Sequence, residues 1–467
     1  MKLGNIIQDS EAKILYGNAS DEIIGISCDS RQIQAGWAFL AVKGFAVDGH
    51  DYIDAAKKAG ATAVISCDRL SLALCAANFY GHPSKKLKLV GITGTNGKTT
   101  TVTLLYHLFS YLGARCGLLS TIANYVGEER YEAVNTTSDP ITINALMAEM
   151  VEKGCQYCFM EVSSIGVEQD RVAGLDFDIA LFSNLTHDHL DYHKTFAEYL
   201  RCKKLFFDRL SKKATAIINI DDRNGEIMVQ NTAAKIVRYS CHSMADHKCR
   251  IMEESFEGML LKIDEKECWT RLIGQHNAYN LLAIYTTAIE LGVEVDDCLI
   301  ALSRLESAPG RLESMIGPRG ICVVIDYAHT PDALDNVLKT LRKISPQRQL
   351  ICLFGCGGDR DKSKRPEMAA IAQKADRIVI TSDNCRTENP TEIINDIKAG
   401  LSAEGRRKCI CIEDRAEAIR MAILTAQDHA TILLAGKGHE NYQIVGKEKR
   451  HFNEREIVET IFKEEML

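Results

Sequence analysis

The fold is decided by the stretch Leu89-Val90-Gly91-Ile92-Thr93-Gly94-Thr95-Asn96-Gly97-Lys98-Thr99-Thr100. The apolar run over residues 87–92 predicts a strand. The residues beyond the stretch predict an amphipathic helix, with apolar side chains at Val102, Leu104, Leu105, Leu108, Phe109 and Leu112. Between strand and helix lies a loop that ends in Gly-Lys-Thr, as a phosphate-binding P-loop does. The match is not strict, because Ile92 occupies the first-glycine position and Gly91 lies one residue earlier.

This loop predicts a nucleotide site. The backbone N–H groups of such a loop and the N-terminus of the following helix favour negative charge. We expect Lys98 to reach the β- and γ-phosphates of the nucleotide and the Thr99 hydroxyl to bind Mg²⁺. The other expected nucleotide contacts in the loop are Gly94, Thr95, Asn96, Gly97 and Thr100. The alternative is a glycine-rich turn with a chance lysine, which the flanking strand and helix disfavour.

Composition limits the classes of function. The net charge of -7 argues against a nucleic-acid or anionic-membrane partner held by bulk electrostatics. The N-terminal residues lack the apolar stretch of a signal peptide, and no run approaches the ~18 apolar residues of a membrane span. The 17 cysteines are too irregular for a disulfide scaffold, so we expect a protein of the reducing cytoplasm.

Several cysteines are predicted to act as small apolar side chains in strands. Cys352 and the pair Cys409 and Cys411 lie in apolar runs. Cys155 and Cys158 form a Cys-x-x-Cys pair, but no second pair lies at zinc spacing. We therefore favour a buried strand here over a metal or redox site.

The pattern of strands and helices predicts an α/β protein of three domains. Because one hydrophobic core rarely exceeds roughly 250–300 residues, a chain of 467 residues needs two or three. We place a small α/β domain at 1–88, a central P-loop domain with a mostly parallel sheet at 89–311, and a Rossmann-like domain at 312–467. Strands of the last domain are predicted at 321–325, 350–354, 377–380 and 430–434.

Two further segments of the central block carry candidate metal ligands. Glu161 ends a predicted strand, where a carboxylate beside a P-loop is well placed for Mg²⁺. After the next strand, the run 182–193 includes His187, Asp188 and His189, although histidine suits transition metals better than Mg²⁺. The helix predicted at 196–207 carries adjacent lysines, which helical spacing alone places on a solvated face.

These motifs together resemble the Mur ligases of peptidoglycan synthesis, and among them the branch that adds diaminopimelate. The resemblance spans nearly the whole chain and includes the displaced glycine of the loop. The segments that carry it are Asp29-Ser30-Arg31, Gly36–Ala41, Asp48-Gly49-His50, Gly94–Thr99, Glu161–Ser164, Asn184–Tyr192, Tyr199–Phe207, Asp326–Asp332, Gly355–Asp361, Ser382–Pro390 and Gly436–Glu440.

The resemblance implies roles for individual residues. Ser30 would lie near the uracil of a uridine nucleotide in the N-terminal domain. Lys203 would be carbamylated and, with Glu161 and His189, would bind the second of two Mg²⁺ ions. The substrate UDP-MurNAc-L-Ala-D-Glu would contact Thr136, Thr137, Ser163, Gln169, Arg171 and the modified Lys203. The adenine, phosphates and ribose of ATP would contact Asn277, Arg311 and Asp326.

The resemblance also implies a reaction. The D-glutamate side-chain carboxylate would attack the ATP γ-phosphate, and an amine would then attack the resulting acyl phosphate. The implied catalytic residues are Lys98, Glu161, His189 and Lys203. The protein would act as a cytoplasmic monomer on small-molecule substrates, with no nucleic-acid or membrane partner.

The identity of the amine depends on the motif Asp383-Asn384-Cys385-Arg386. In the family, an arginine at the last position goes with meso-diaminopimelate, whose distal carboxylate a guanidinium can hold bidentately. The other implied contacts are Arg360, Gly436 and Glu440, the last for the distal ammonium. Cys385 replaces the usual proline, and a less rigid loop would weaken selectivity.

Three alternatives remain at this stage. A lysine-adding ligase shares the chemistry but lacks the arginine. A folylpolyglutamate synthase shares the P-loop but not the two C-terminal motifs. A nucleotide-dependent switch, or a protein that binds the precursor without ligating it, would hydrolyse ATP without needing an amine.

Overall fold

The computed structural model describes residues 1–44, 47–186, 190–307 and 310–466. These residues form two compact units, and each is described by itself. The first unit comprises Met1–Lys248 and Asn280–Ala301, and the second comprises Cys249–Tyr279 and Leu302–Leu467.

The N-terminal part of the first unit is a small α/β layer. Its sheet has the order β1-β4-β3-β2, with β2, β3 and β4 parallel and β1 antiparallel at the edge. Helix α3 packs apolar residues on one face of the sheet, including Leu72 and Cys75. The elements are α1 (Leu3–Ile6), β1 (Lys13–Tyr16), β2 (Gly25–Ser27), β3 (Trp37–Val42), α2 (Ile53–Lys58), β4 (Ala63–Cys67) and α3 (Arg69–Phe79).

The rest of the first unit is built on a mostly parallel sheet. The elements follow as β5 (Lys88–Thr93), α4 (Lys98–Tyr111), β6 (Cys116–Leu119), β7 (Asn124–Val126), β8 (Glu129–Tyr131), α5 (Pro140–Glu152), β9 (Tyr157–Glu161), α6 (Ser164–Glu168), β10 (Ile179–Phe182), α7 (Leu190–His193), α8 (Phe196–Asp208), β11 (Thr215–Asn219), α9 (Gly225–Met228) and β12 (Lys235–Ser240). The parallel order is β12-β11-β10-β5-β9-β6, with β7 and β8 antiparallel beyond β6.

This order puts the phosphate loop at the middle of the sheet. The chain leaves β5 toward β9 and β6 on one side, and later returns to β10 on the other. Ligands of such sheets bind at the carboxyl ends of the strands, where the direction of the connections changes. Residues 94–97 follow β5 at this point.

The following segment joins the two units in sequence. It contains β13 (His247–Ser255), β14 (Gly258–Ile263), β15 (Lys266–Thr270), α10 (Gln275–Glu290) and α11 (Val295–Arg304). The strands β13, β14 and β15 form an antiparallel meander through hairpins, and β13 pairs parallel with β12 where it begins.

The C-terminal part of the second unit has a six-stranded sheet of order β16-β17-β21-β18-β19-β20. All pairs are parallel except β16 with β17, and apolar clusters cover both faces, as expected for a parallel sheet. The elements are β16 (Glu313–Ile316), β17 (Cys322–Asp326), α12 (Pro331–Ile344), β18 (Leu350–Phe354), α13 (Lys364–Ala372), β19 (Arg377–Ile380), α14 (Pro390–Ala399), α15 (Ala403–Arg407), β20 (Cys409–Cys411), α16 (Arg415–Leu424), β21 (Thr431–Ala435), β22 (Tyr442–Val445), β23 (Glu448–His451) and α17 (Glu454–Glu465).

The predicted α/β architecture with three sheet-based parts is confirmed, while the boundaries after residues 88 and 311 stay predictions. The strands at Leu350–Phe354 and Arg377–Ile380 match their predicted bounds, and the others shift by one residue. Cys155 and Cys158 are buried, and Cys158 lies in β9, as predicted. The prediction for Cys411 is wrong: its side chain is exposed, because β20 is the edge strand of its sheet.

Candidate active site

The phosphate loop depends on two glycines with positive φ. Gly94 has φ 153° and Gly97 has φ 88°, and Lys98 begins α4 directly after the loop. A Cβ atom at Gly94 would collide with Ser183 Oγ, and one at Gly97 would lie 2.5 Å from Asn280 Oδ1. Glycine is therefore required at both places, whereas the first-glycine position of a strict P-loop is the buried strand residue Ile92.

Residues after β10 hold the loop in shape. Asn184 Oδ1 accepts the Asn96 N–H at 2.9 Å, and its backbone carbonyl accepts the Thr95 N–H at 2.8 Å. The Ser183 hydroxyl donates to the Asn96 carbonyl at 2.7 Å. These bonds satisfy backbone groups of Thr95 and Asn96 and so stabilise this conformation of the loop.

Two lysine ammonium groups converge on one carbonyl oxygen of this loop. Lys98 Nζ donates to Gly94 O at 2.9 Å and to Thr95 O at 2.8 Å. Lys203 Nζ, from α8, donates to Gly94 O at 2.8 Å. The positive groups therefore meet where a phosphate of the nucleotide is predicted to lie, and Thr99 and Thr100 are buried in the first turn of α4 beside them.

Lys203 is a buried residue, contrary to the expectation from helical spacing. Its side chain is 1% exposed, and Nζ lies 4.7 Å from the centre of the Tyr199 ring. The neighbouring Lys204 instead pairs with Asp208, one turn further along α8. The solvated-face prediction is thus wrong for Lys203, because α8 packs this residue against the end of β5.

Glu161 ends β9 with an incompletely bonded carboxylate. The residue is 1% exposed, and Oε1 accepts the Thr121 N–H at 2.8 Å. Oε2 is buried and has no hydrogen-bond partner among the described residues. A buried carboxylate oxygen without a partner is costly, so its position suits an incoming cation.

The histidine predicted as a metal ligand cannot be placed. His187, Asp188 and His189 lie outside the described residues, so the role of His189 stays a prediction. Elsewhere in the described ranges, no group of three or more His, Cys, Asp and Glu side chains could hold a metal ion. Thr99, Glu161 and Lys203 are therefore the predicted ligands whose surroundings are known.

Four of the residues predicted for the peptide substrate are joined by hydrogen bonds. Arg171 Nη1 donates to Thr137 O at 2.7 Å, and its Nη2 donates to Gln169 Oε1 at 2.8 Å. The Thr137 hydroxyl donates to Glu161 O and accepts the Ser163 N–H. Burial lowers the pKa of Arg171 from its ordinary value. The group thus links a guanidinium to the end of β9.

Of the three remaining predicted substrate residues, Lys203 lies at the phosphate loop, and Thr136 and Ser30 lie elsewhere in the first unit. The Thr136 hydroxyl accepts from the Thr121 hydroxyl at 3.1 Å, next to the backbone group that binds Glu161. Ser30 begins a short 3₁₀ turn, Ser30–Gln32, which Asp29 caps by accepting the Arg31 N–H. Tyr192, which sequence reasoning assigned no role, accepts from Gln169 and donates to Glu168.

The residues predicted for adenine and ribose lie in the second unit. Asp326 ends β17, and its Oδ2 accepts the Leu312 N–H at 2.7 Å. Burial raises the pKa of this carboxyl, although Arg311 acts against the rise. The Arg311 guanidinium lies over the Tyr327 ring, and its buried Nε has no partner among the described residues. Asn277 is buried and donates to Ile273 O.

The residues predicted for the amino acid surround one buried lysine. The Lys437 side chain is 0% exposed, and Nζ lies 3.1 Å from Asp383 Oδ1, 3.2 Å from Asn384 Oδ1 and 3.2 Å from Glu440 Oε2. Asn384 Nδ2 also donates to Glu440 Oε2 at 2.8 Å. Three residues predicted to bind the amino acid, Asp383, Asn384 and Glu440, are therefore brought together by Lys437. No role was predicted for this lysine from the sequence.

The hairpin of β22 and β23 holds the loop that carries Arg386. Ile444 N donates to Asn384 Oδ1 at 2.9 Å, and Ile444 O accepts the Arg386 N–H at 3.2 Å. Arg386 has φ 50° and donates through Nη1 to Gly358 O at 2.8 Å. The loop is thus bonded on both sides although Cys385, not proline, precedes the arginine.

The remaining predicted contacts differ in exposure. Gly436 has φ 112°, and a Cβ there would lie 3.2 Å from Asp383 Oδ2, so the end of β21 needs a glycine. Arg360 is exposed and donates to Asp359 O at 3.1 Å. Glu388 holds this loop through the Asp359 N–H and pairs with Arg365, which is 1% exposed.

Comparisons with known proteins agree along the whole chain. Residues 22–89 match the model of the Mur ligase family catalytic domain, residues 92–288 the Mur ligase middle domain, and residues 310–438 the Mur ligase glutamate ligase domain. A UDP-N-acetylmuramoyl-L-alanyl-D-glutamate–2,6-diaminopimelate ligase of Phocaeicola vulgatus is 48% identical, with 100% of each chain covered. The ligase of the same name from Bacteroides fragilis is 46% identical over 99% of each chain.

A solved structure with that name has a TM-score of 0.72 and 30% identity, and the match covers 100% of this chain and 99% of the other. The family models, the full-length relatives and the fold therefore agree on the family. The chain belongs to the Mur ligase family.

Proposed function

We propose that this chain is an ATP-dependent ligase that adds meso-diaminopimelate to the D-glutamate side-chain carboxylate of UDP-MurNAc-L-Ala-D-Glu, the MurE reaction. The observation that carries the proposal is the meeting of Lys98 and Lys203 at Gly94 O, at the head of a P-loop helix. Full-length relatives that bear the corresponding name support the choice of substrates.

In the first step, the substrate carboxylate attacks the γ-phosphate of ATP. Lys98 moves from the loop carbonyls to the phosphates and offsets the charge that develops on the transferring group. The backbone N–H groups at the start of α4 hold the phosphates, while those of Thr95 and Asn96 bond to Asn184 and shape the loop. The products are ADP and an acyl phosphate.

The proposal includes Mg²⁺, and the donor set fits it. When bound, Mg²⁺ neutralises phosphate charge and orients the reacting oxygens. Thr99 and the unpartnered Oε2 of Glu161 are oxygen donors of the type that Mg²⁺ prefers. We further propose that Lys203 is carbamylated, because this changes a buried ammonium into an oxygen donor, and that His189 completes the set for two ions.

In the second step, an amine attacks the acyl phosphate through a tetrahedral intermediate and phosphate leaves. We propose that Arg360, Asp383, Asn384, Arg386, Gly436 and Glu440 bind the amino acid. Arg386 suits a distal carboxylate, which meso-diaminopimelate has and L-lysine lacks. Arg386 donates hydrogen bonds to Gly358 O and Ile444 O, and these bonds hold it in place. They support selectivity for meso-diaminopimelate although Cys385 replaces proline.

The remaining parts of the proposal concern substrate binding and organisation. Ser30 contacts the uridine nucleotide; Thr136, Thr137, Ser163, Gln169 and Arg171 contact the peptide; Asn277, Arg311 and Asp326 contact the adenosine part of ATP.

The domains span 1–88, 89–311 and 312–467, and the protein works as a monomer in the cytoplasm. No helix among the described residues is long and apolar enough to cross a membrane.

The test is phosphate release from ATP plus UDP-MurNAc-L-Ala-D-Glu, measured with meso-diaminopimelate, with L-lysine and without an amine. We expect release with meso-diaminopimelate alone. Release with lysine would keep a ligase and reject the amine assigned here. Release that needs no amine would reject ligation and favour a nucleotide-dependent switch.

A further inference from the structure

Lys437 carries an ammonium group that is inaccessible to solvent in the described structure. It follows β21, and its side chain is 0% exposed. Its three acceptors come from two loops: Asp383 and Asn384 after β19, and Glu440 after β21. Because the ammonium group has three donors and three acceptors within 3.2 Å, its hydrogen-bonding capacity is filled by protein.

The charges around Lys437 do not balance without a ligand. One ammonium group faces two carboxylates, those of Asp383 and Glu440. The nearby buried pair of Arg415 and Glu454 adds no net charge. Although burial tends to raise the pKa of Asp383, Lys437 and Arg415 hold it below the ordinary value, so Asp383 stays ionised. Among Lys437, Asp383 and Glu440, one negative charge is therefore left over, and the Glu440 side chain, which is 15% exposed, can take a cationic group of the ligand.

We propose that Lys437 is a positioning residue that sets the charge of the amino-acid site. It neutralises one of the two carboxylates and leaves the other, Glu440, to pair with the distal ammonium of the incoming diamino acid. This inference rests on the proposed function and deepens it. It explains why the site has two acidic residues for a substrate that brings one distal ammonium group.

Lys437 also fixes the direction of the groups that face the ligand. Asn384 Oδ1 accepts from both Lys437 Nζ and Ile444 N, so its Nδ2 must point to Glu440. The Glu440 carboxylate is bonded through Oε2 to both Lys437 and Asn384. A lysine in this place thus orients an amide and a carboxylate together, and no motion of the hairpin is needed.

The test begins with Lys437→Met, which keeps the length of the side chain and removes the charge. We expect the KM for meso-diaminopimelate to rise by roughly 30-fold or more, because one partner of a buried, hydrogen-bonded charge network is lost. The KM values for ATP and for UDP-MurNAc-L-Ala-D-Glu should stay within about twofold. A merely structural role would change stability or all three KM values alike.

The matched control is Lys408→Met. Lys408 is half-buried in the same unit and donates to two backbone carbonyls, Gln373 O and Ala375 O, rather than to carboxylates. Its replacement removes a lysine with good hydrogen bonds but leaves the charges of the amino-acid site unchanged. We expect no change in the KM for meso-diaminopimelate.

The deciding variant is Lys437→Met combined with Asp383→Asn. The asparagine can still accept the Asn384 N–H, which Asp383 Oδ1 accepts at 2.7 Å. One carboxylate again faces the ligand, so the KM for meso-diaminopimelate should recover at least about fivefold from that of the single variant. A single variant with unchanged KM, or a double variant that is no better, would overturn the proposal.

The double variant also tests the proposal if Lys437→Met does not fold. If Lys437→Met fails to fold, the double variant should fold, because these side chains again carry one net negative charge, as they do in the natural chain. A double variant that also fails to fold would overturn the role in charge balance. If the natural chain itself shows no ligation with meso-diaminopimelate, the proposed function fails, and this outcome is seen before any variant is measured.

Discussion

The phosphate loop of the first unit and the amino-acid site of the second unit differ in the hydrogen-bond partners of their buried charged side chains. At the loop, Lys98 and Lys203 share one carbonyl oxygen, and Glu161 keeps a buried oxygen with no partner among the described residues. At the amino-acid site, Lys437 is bonded to three side chains, and two of them, Asn384 and Glu440, also bond to each other. At the first site the carboxylate of Glu161 can accept a cation, whereas the side chains of the second site are organised around Lys437.

This difference suits two kinds of ligand. A triphosphate and metal ions bring large charges, so the protein places charged side chains of both signs, Lys98, Lys203 and Glu161, at the loop. An amino acid brings small charges that must be distinguished from those of similar amines, which requires fixed geometry. Substitutions at the loop should therefore reduce the rate, and substitutions at the amino-acid site should change the KM for one substrate.

The largest effect is expected for Lys203→Ala. If Lys203 is carbamylated and binds metal, kcat should fall on the order of 10³-fold because charge stabilisation at the phosphoryl group is lost. The control is Lys204→Ala, which removes the neighbouring lysine and its pair with Asp208 and should change kcat by less than about twofold. Full activity of the Lys203 variant would contradict the account of the loop.

Glu161→Gln should have the next largest effect. The amide can still accept the Thr121 N–H, but the charge at the unpartnered oxygen is gone. We expect activity to fall roughly 10- to 100-fold at low Mg²⁺ and to recover partly as Mg²⁺ is raised. Glu152→Gln, on the exposed side of α5, is the control. A Mg²⁺ dependence equal to that of the natural chain would remove Glu161 from the metal site.

Arg386→Lys should act on one substrate. Lysine keeps the charge but cannot bind a carboxylate bidentately, so the KM for meso-diaminopimelate should rise roughly 10-fold while that for ATP is unchanged. The exposed Arg407→Lys, in α15, serves as the control. Equal increases in both KM values would mean that the substitution disturbs the unit as a whole.

The smallest effect is expected for Glu388→Gln, and it depends on pH. Arg365 holds the pKa of Glu388 at about 2, below its ordinary value of 4.5. A carboxyl with a lowered pKa stabilises the folded state above the ordinary value, and this contribution is lost as the pH falls from 4.5 toward 2. The variant should therefore melt about 2–4 °C lower at neutral pH, and the difference should shrink in acid. A difference that is constant with pH would contradict the assigned pair.

Sequence reasoning predicted the parts that depend on local pattern. The predicted strands and the glycine loop follow from apolar runs and glycine positions, and the buried Cys158 agrees with its strand. Burial that depends on tertiary packing was not predicted. Helical spacing predicted a solvated Lys203, but its side chain is buried because α8 packs it against the end of β5. Cys411 was predicted to be buried but is exposed, because an apolar run does not reveal that its strand lies at the edge of the sheet.

At the amino-acid site, the motifs gave the acceptors but not the residue that joins them. Lys437 lies within a quoted motif, yet its three partners come together only through the ends of β19 and β21. The hairpin of β22 and β23 was missed, because its exposed and half-buried residues lack the alternation of a half-buried strand. Such contacts join residues about 60 positions apart, for example Ile444 and Asn384, and single-sequence patterns carry no signal for them.

The most direct measurement of the central claim is a competition. The chain is incubated with Mg²⁺, ATP and UDP-MurNAc-L-Ala-D-Glu in the presence of equal meso-diaminopimelate and L-lysine, and the product mass is determined together with the ADP formed. We predict a diaminopimelate-containing tripeptide product and one ADP for each amide bond. A lysine-containing product, or ADP formed without an amide, would contradict the account.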